Sequence, residues 1–212
     1  MPALAAGFRR TVRAATELPE AGEVIRDWSE QGSVPYRELT PPRLMALYEM
    51  AYLRIFVAWE NFLEDTLLRT MCGYISPLYI PRFQEERARE RSVKEAYKAL
   101  LRPGQNYLLW HNPKEVERRA KEWVVGSPHE VVIASSLARL EWFSWVRHRV
   151  AHGSDDARAK MDRATLGLAG RQFAGASVGR FLRSWNQAAQ PQVRWIYTIA
   201  DELGALSSQM AP

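Results

Sequence analysis

The sequence has few of the residues on which disulfide-bonded and zinc-bound small proteins depend. Cys72 is the only cysteine among 212 residues, which excludes an intramolecular disulfide and a cysteine-based zinc site. No uncharged stretch approaches the roughly 20 apolar residues that cross a bilayer. The short apolar run near the N-terminus precedes the first charges, which is the reverse of a secretory signal. We therefore expect a cytoplasmic protein without a membrane span.

Lysine is also scarce, because only five of the 29 basic residues are lysines and the rest are arginines. The formal net charge is +5, and hydrophobic residues make up 47% of the chain. A chain of this length and composition predicts a single folded domain over residues 1–212. Basic character carried by arginine favours a partner that bears phosphate or carboxylate groups, with nucleic acid first among them.

Apolar residues recur at helical spacing along most of the chain, and no segment alternates in the manner of a strand. The pattern predicts an all-α fold. Most of the aromatic residues are interpreted as core. The segment from Tyr107 to His111 has two interpretations, since it could stack on unpaired bases or anchor the entry to the following helix.

Several helix boundaries are marked by capping residues. Thr40, followed by two prolines, predicts the start of a long helix that ends at Gly73. The segments Asn112-Pro113-Lys114-Glu115 and Ser127-Pro128-His129-Glu130 each combine a cap, a proline at the first helical position and a glutamate at the third. The second of these opens a helix that is predicted to run without a break to Gly153.

Two histidines and two arginines lie together at the end of that helix, and we call Arg147, His148, Arg149 and His152 the histidine–arginine cluster. Histidine exchanges protons near neutral pH. Arginine is a permanent cation whose planar donor fork suits phosphate. The cluster is therefore a candidate site for phosphate chemistry. The alternative is an exposed helix end at which the helix dipole favours basic residues.

Arg147 and His152 are five positions apart, which separates them by about 140° around an ideal helix and about 7.5 Å along it. The two side chains would converge only in a broken last turn or between two copies of the helix across a two-fold axis. A cleft shared by a homodimer would supply an acid, a base and fixed positive charge. These groups suffice to cleave RNA through its own 2′-hydroxyl, with no metal and no cofactor.

Two further interpretations concern residues in and near the cluster. His148 and His152 are four apart on one helix face and could bind zinc with Asp155 or Asp156 as a third ligand, which would indicate a metal hydrolase. Glu60 lies in the middle of an apolar helix pattern. It either faces solvent or is partly buried and pairs with an arginine of the cluster.

The segment Arg147-His148-Arg149-Val150-Ala151-His152-Gly153 resembles the R-x4-6-H signature of HEPN domains, with His148 in the polar second position. The segment Ala58-Trp59-Glu60-Asn61-Phe62-Leu63-Glu64-Asp65 resembles the first core helix of the RiboL-PSP branch of these domains. The stretch Asn106-Tyr107-Leu108-Leu109-Trp110 is similar to its middle segment. The resemblance covers about residues 40 to 185.

The resemblance implies an up-and-down helical bundle with a core of about residues 40–185 and additional N- and C-terminal helices packed on it. It implies a homodimer with metal-independent endoribonuclease activity, acting as a toxin or anti-phage effector with a cognate antitoxin or inhibitor protein as a partner. Arg147 and His152 would be catalytic, and His148, Arg149 and Glu60 would be auxiliary or phosphate-binding. Ser154 replaces the tyrosine that some members carry two places after the histidine. The alternative is a non-catalytic RNA-binding or protein-interaction module.

Overall fold

The computed structural model describes residues 1–75, 79–173, 175 and 177–211. Within these residues the chain forms ten helices and one short antiparallel hairpin, which confirms the prediction of an all-α fold. The helices are α1 (Pro2–Trp28), α2 (Val34–Glu38), α3 (Pro41–Met71), α4 (Val93–Leu100), α5 (Pro113–Trp123), α6 (Pro128–Ser135), α7 (Leu137–Ala151), α8 (Asp155–Ala169), α9 (Val178–Arg183) and α10 (Trp195–Met210). The hairpin joins β1 (Trp185–Asn186) to β2 (Val193–Arg194), with Trp185 opposite Arg194.

The chain divides into two compact units. The first contains Met1–Arg9, Ala58–Glu141 and Gly204–Pro212, and the second contains Arg10–Val57 and Trp142–Leu203. The two units are described separately below. The single-domain organisation over residues 1–212 stays a prediction.

The predicted helix starts are confirmed by their capping hydrogen bonds. The Asn112 side chain accepts a hydrogen bond from the backbone N–H of Lys114 at 3.1 Å, directly before α5. The Ser127 hydroxyl accepts one from the N–H of Glu130 at 3.1 Å, directly before α6. The Glu130 carboxylate in turn accepts the N–H of Gly126 at 3.1 Å. Because the first N–H groups of a helix have no partner within it, these bonds fix where α5 and α6 begin.

The prediction of one unbroken helix from Ser127 to Gly153 is wrong, because the helix is interrupted at Ser136. The N–H of Ser136 donates to the carbonyl of Ile133, three residues back, at 3.1 Å. The hydroxyl of Ser135 donates to the carbonyl of Val132 at 2.9 Å. Serine side chains compete in this way with backbone hydrogen bonds and weaken a helix. The helix that carries the histidine–arginine cluster therefore begins at Leu137.

Aromatic rings form part of the core of the first unit. Phe8 of α1 lies 5.7 Å from the Trp59 ring and 5.5 Å from the Phe62 ring of α3, measured between centroids. All three side chains are buried. Further along α3, the Thr66 hydroxyl lies 2.8 Å from Nε2 of the buried His129 on α6. These contacts join α1, α3 and α6.

The second unit is built around a buried carboxylate. Glu23 of α1 accepts hydrogen bonds from Nε of Arg183 at 2.6 Å and from the Tyr48 hydroxyl at 3.1 Å. Arg194 adds a second cation at 3.1 Å. Burial raises the pKa of the Glu23 carboxyl, but the two arginines and the tyrosine outweigh it, so that its pKa is lowered overall. An ionised, paired carboxylate thus joins α1, α3, α9 and β2.

Candidate functional site

The histidine–arginine cluster lies where α7 ends and α8 begins, within the second unit. Phe143 and Val146 are fully buried and fix the rotation of α7. The Tyr52 hydroxyl of α3 donates to the Phe143 carbonyl at 2.8 Å. Ser154 ends the connection by accepting the N–H of Ala157 at 3.2 Å, which caps α8. The cluster therefore lies at a short, capped turn between two helices, with His148 and Arg149 in the last turn of α7, Arg147 directly before it and His152 directly after it.

The structure brings the two histidines of the cluster together. The ring centroids of His148 and His152 are 4.6 Å apart, with an angle of 49° between the rings. The backbone N–H of His152 donates to the carbonyl of His148 at 2.9 Å, so helical hydrogen bonding continues through His152 although α7 ends at Ala151. His148 is partly buried and His152 is exposed. Two imidazoles in contact, one of them open to solvent, can accept and donate protons at one place.

A carboxylate and a lysine of α8 surround this pair. Nε2 of His148 lies 3.8 Å from the Asp156 carboxylate, which also accepts a hydrogen bond from the Lys160 ammonium at 2.7 Å. The pKa of His148 is lowered, first by burial and then by the positive charges of His152 when protonated and of Lys160. Asp156 acts in the opposite direction, and Arg147 adds a smaller lowering effect. Because its pKa is lowered, His148 is more often neutral at pH 7 than a free histidine would be. A neutral imidazole can accept a proton.

Arg147 lies on a different side of α7. Its positive charge lowers the pKa of the Tyr52 hydroxyl, although burial raises that pKa by more. Arg147 therefore lies near α3, whereas His148 lies near α8. The five-residue spacing between Arg147 and His152 corresponds to about 140° around the helix, as the sequence predicts. Arg147 and His152 would thus meet at a shared cleft only if a second copy of the chain contributes one of them.

Arg149 has a structural contact at the helix end. Its Nη1 donates to the backbone carbonyl of His152 at 3.2 Å. Cationic side chains commonly bind the last carbonyls of a helix, where they also interact favourably with the helix dipole. This contact is of the kind expected at a basic helix end, and the role of Arg149 in phosphate binding stays a prediction.

Glu60 lies on α3 in the first unit and is half-buried. Partial burial agrees with the second of the two interpretations, but neither interpretation is tested by it. Its pairing with an arginine of the histidine–arginine cluster stays a prediction.

Two residues near the cluster gained roles that the sequence analysis did not assign. From the sequence, Asp156 is interpreted only as a zinc ligand and no role is assigned to Lys160. Asp156 and Lys160 are four residues apart on α8, with the acid before the base. This spacing is typical of a stabilising ion pair on a helix, so the pair could have been predicted from the sequence. In the described part of the chain, no three histidine, cysteine or carboxylate side chains are grouped so that they could hold a metal ion.

No protein-family model, curated protein or solved structure matches this chain. Among the described residues, no helix combines the length and the apolar character that crossing a lipid bilayer requires.

Proposed function

We propose that this protein is a metal-independent endoribonuclease that acts as a homodimer in the cytoplasm, with the histidine–arginine cluster as its active site. The observation that carries the proposal is the contact between His148 and His152 at a helix end that solvent can reach, with Arg147 on another side of the same helix. Two imidazoles and a permanent cation are the groups that cleavage through the 2′-hydroxyl needs. The resemblance of this segment to the HEPN signature supports the same function.

In the proposed reaction, His152 takes the proton of the RNA 2′-hydroxyl. The resulting oxyanion attacks the adjacent phosphorus and breaks the bond to the 5′-oxygen of the next nucleotide. That oxygen leaves with a proton from an imidazole, so the products are a 2′,3′-cyclic phosphate and a 5′-hydroxyl. Arg147 stabilises the negative charge on the phosphorane, and His148 binds or polarises the phosphate. Water enters no step of this cleavage, and no metal is required.

Because Arg147 and His152 lie on different sides of α7, the proposal places one shared cleft between two copies of the chain. A two-fold axis brings the same surface of each copy together and so presents both copies of each residue to one substrate. Cells keep such a nuclease under control, and the proposal therefore includes a role as a toxin or anti-phage effector that a cognate antitoxin or inhibitor protein restrains.

The first test is cleavage of 5′-labelled RNA by the purified protein in excess chelator. We expect the wild type to cut and His152→Ala to lose at least about 100-fold in rate, the usual contribution of a proton-transfer group. His111→Ala is the matched control, because it removes a histidine outside the cluster and should keep the activity. Substituting a single 2′-deoxynucleotide at the cut position should abolish cleavage there. Full activity in a folded His152→Ala variant would refute the assignment.

The second test is a mixing experiment on the shared cleft. Arg147→Ala and His152→Ala homodimers should each be inactive. After the subunits are exchanged, a mixed dimer retains one intact Arg147 and one intact His152, so activity should return. If mixed dimers form but remain inactive, the two residues do not act across a shared cleft.

A non-catalytic RNA-binding module is the second candidate, favoured by the contact of Arg149 with the helix-end carbonyl. In that case the arginines stabilise the helix end and attract phosphate without chemistry. RNA binding that weakens steeply with salt, without chain scission under any condition tested, would support this candidate.

A further inference from the structure

A second arginine-lined cleft lies within the first unit, in the segment that joins α4 to α5. It has a volume of about 640 Å³, and among its lining residues are Arg102, Tyr107, Arg118 and Arg119. A volume of this size accommodates a small organic ligand. None of the residues of the histidine–arginine cluster lines it.

Arg119 is the unusual residue of this cleft, because it is a cation that is only 3% exposed. Its Nη1 donates to the Leu109 carbonyl at 3.1 Å, and its guanidinium lies 5.4 Å from the centre of the Trp110 ring. Its Nε is buried and has no hydrogen-bond partner among the residues that the structure describes. A buried charge with an unsatisfied donor is costly unless an anion or an acceptor is supplied.

The nearby carboxylate of Glu115 neutralises the charge of Arg119 only in part, because it is bound by Arg118. The Arg118 guanidinium donates two hydrogen bonds to one oxygen of the Glu115 carboxylate, from Nη2 at 2.8 Å and from Nε at 3.3 Å. Arg118 also pairs with Glu122. Burial lowers the pKa of the Arg119 guanidinium, the charge of Glu115 raises it in part, and the like charges of Arg118 and Arg102 lower it. Arg102 and Arg119 therefore leave the cleft with positive charge that a ligand can neutralise.

The cleft also offers an aromatic surface and amide groups. Tyr107, the aromatic residue among those that line this cleft, is 66% exposed. An exposed tyrosine beside arginines is the usual platform on which a nucleic-acid base stacks. Gln105 and Asn106 line the same cleft and can form hydrogen bonds to the edge of a base.

We propose that this cleft binds a nucleotide, with its base stacked on Tyr107 and its phosphate held by Arg102 and Arg119. The ligand has two sources, namely one nucleotide of a single-stranded RNA or a free mononucleotide. A bare inorganic anion would use the arginines but would leave Tyr107 without a role. The inference goes beyond the proposed nuclease activity, since it assigns a second site made of other residues.

The test is a binding assay that does not depend on cleavage. The probe is a fluorescein-labelled oligonucleotide of 2′-O-methyl nucleotides, which lacks the free 2′-hydroxyl that the proposed cleavage requires. The protein is the full chain carrying His152→Ala, so that loss of nuclease activity cannot be confused with loss of binding. Adenosine 5′-monophosphate and inorganic phosphate serve as unlabelled competitors.

Two exposed residues of the cleft are substituted. We expect Tyr107→Ala and Arg102→Ala each to weaken probe binding by roughly tenfold, which is the usual effect of losing one stacking or phosphate contact. Tyr107→Phe keeps the aromatic face and should bind nearly as well as the parent. The matched controls are Tyr74→Ala and Arg91→Ala, which remove an exposed tyrosine and an exposed arginine from outside the cleft in the same unit.

Each outcome decides the proposal. Competition by adenosine 5′-monophosphate supports a free mononucleotide as the ligand, and displacement by unlabelled oligonucleotide alone supports a segment of single-stranded RNA. Equal competition by inorganic phosphate and adenosine 5′-monophosphate would overturn the proposal, because the base would then contribute nothing. Equal losses in Arg91→Ala and Arg102→Ala, or unchanged binding in Tyr107→Ala, would overturn it as well.

Discussion

The buried His129 of α6 should make the free energy of unfolding fall as the solution becomes acidic. The Thr66 hydroxyl donates its proton to the Phe62 carbonyl at 2.6 Å, so its oxygen accepts a hydrogen bond from Nε2 of His129 at 2.8 Å. The neutral ring therefore carries its proton on Nε2. Its Nδ1 has no hydrogen-bond partner among the described residues, and a second proton there would be buried without an acceptor. Burial accordingly lowers the pKa of His129 to about 4.

The sign of the effect follows from this lowered pKa. In the unfolded chain the pKa of His129 is near its ordinary value of about 6.5. Between about pH 6.5 and pH 4 the unfolded state therefore binds a proton that the folded state does not bind. Stability is complete above about pH 6.5 and is lost as the pH falls toward 4. At about 1.4 kcal/mol for each pH unit of difference, the total loss is about 3 kcal/mol, of which about 2 kcal/mol is reached by pH 5.

The assay is denaturant unfolding at a series of pH values from 7.5 to about 4, for the wild type and for His129→Gln. The glutamine amide can donate to Thr66 but does not titrate. All other ionisable groups are common to the two proteins, so the difference between the two curves isolates His129. We expect the wild type to lose about 2 kcal/mol more than His129→Gln between pH 7 and pH 5.

Parallel curves for the two proteins would refute this reasoning, because they would mean that His129 binds its proton equally in the folded and unfolded states. A direct check is the proton NMR titration of the His129 ring in the folded protein. A midpoint near 6.5 there would contradict the assigned tautomer and the buried environment.

Two further predictions concern the second unit. Lys160→Ala removes a positive charge that lowers the pKa of His148, so that pKa should rise, and an unchanged NMR titration of the His148 ring would contradict the charge interaction. Gly179→Ala would place a Cβ atom 2.2 Å from the backbone carbonyl oxygen of Met45, so we expect it to lower the free energy of unfolding by about 2 to 3 kcal/mol. As its control, Gly204→Ala on α10 has space around the added Cβ and should stabilise the protein by about 0.5 to 1 kcal/mol in the same denaturant assay, and equal effects of the two would exclude close packing as the cause.

Helix boundaries could be predicted from the sequence wherever a capping residue determines them locally. The start of α5 after Asn112 and of α6 after Ser127 are examples, and so is the end of α3 before Gly73, which has a φ of 77°. The break at Ser136 escaped prediction because apolar spacing continues across it. The break is revealed only by the hydrogen bonds of the structure, in which the Ser135 hydroxyl competes for a backbone carbonyl and the Ser136 N–H donates three residues back.

The candidate site shows the same limit. The sequence places His148 and His152 one helical turn apart, and their contact follows from that spacing. The lowered pKa of His148 cannot be predicted from that spacing. It depends on how the chain between α7 and α8 places Asp156 and Lys160 near the His148 ring. In the same way, the burial of Arg119 depends on the path of the segment before α5, and the spacing of residues in the sequence does not predict it.

The lowered pKa of His148 bears on how the proposed dimer would hold together. A shared cleft brings two copies of Arg147 and Arg149 near one axis, and like charges at such distances repel each other. A neutral His148 adds nothing to this repulsion, and Arg149 is partly satisfied by the carbonyl at the end of its own helix. The remaining positive charge matches an RNA phosphate. On this reasoning substrate binding and self-association favour each other, since a ligand that binds only the dimer shifts the equilibrium toward it.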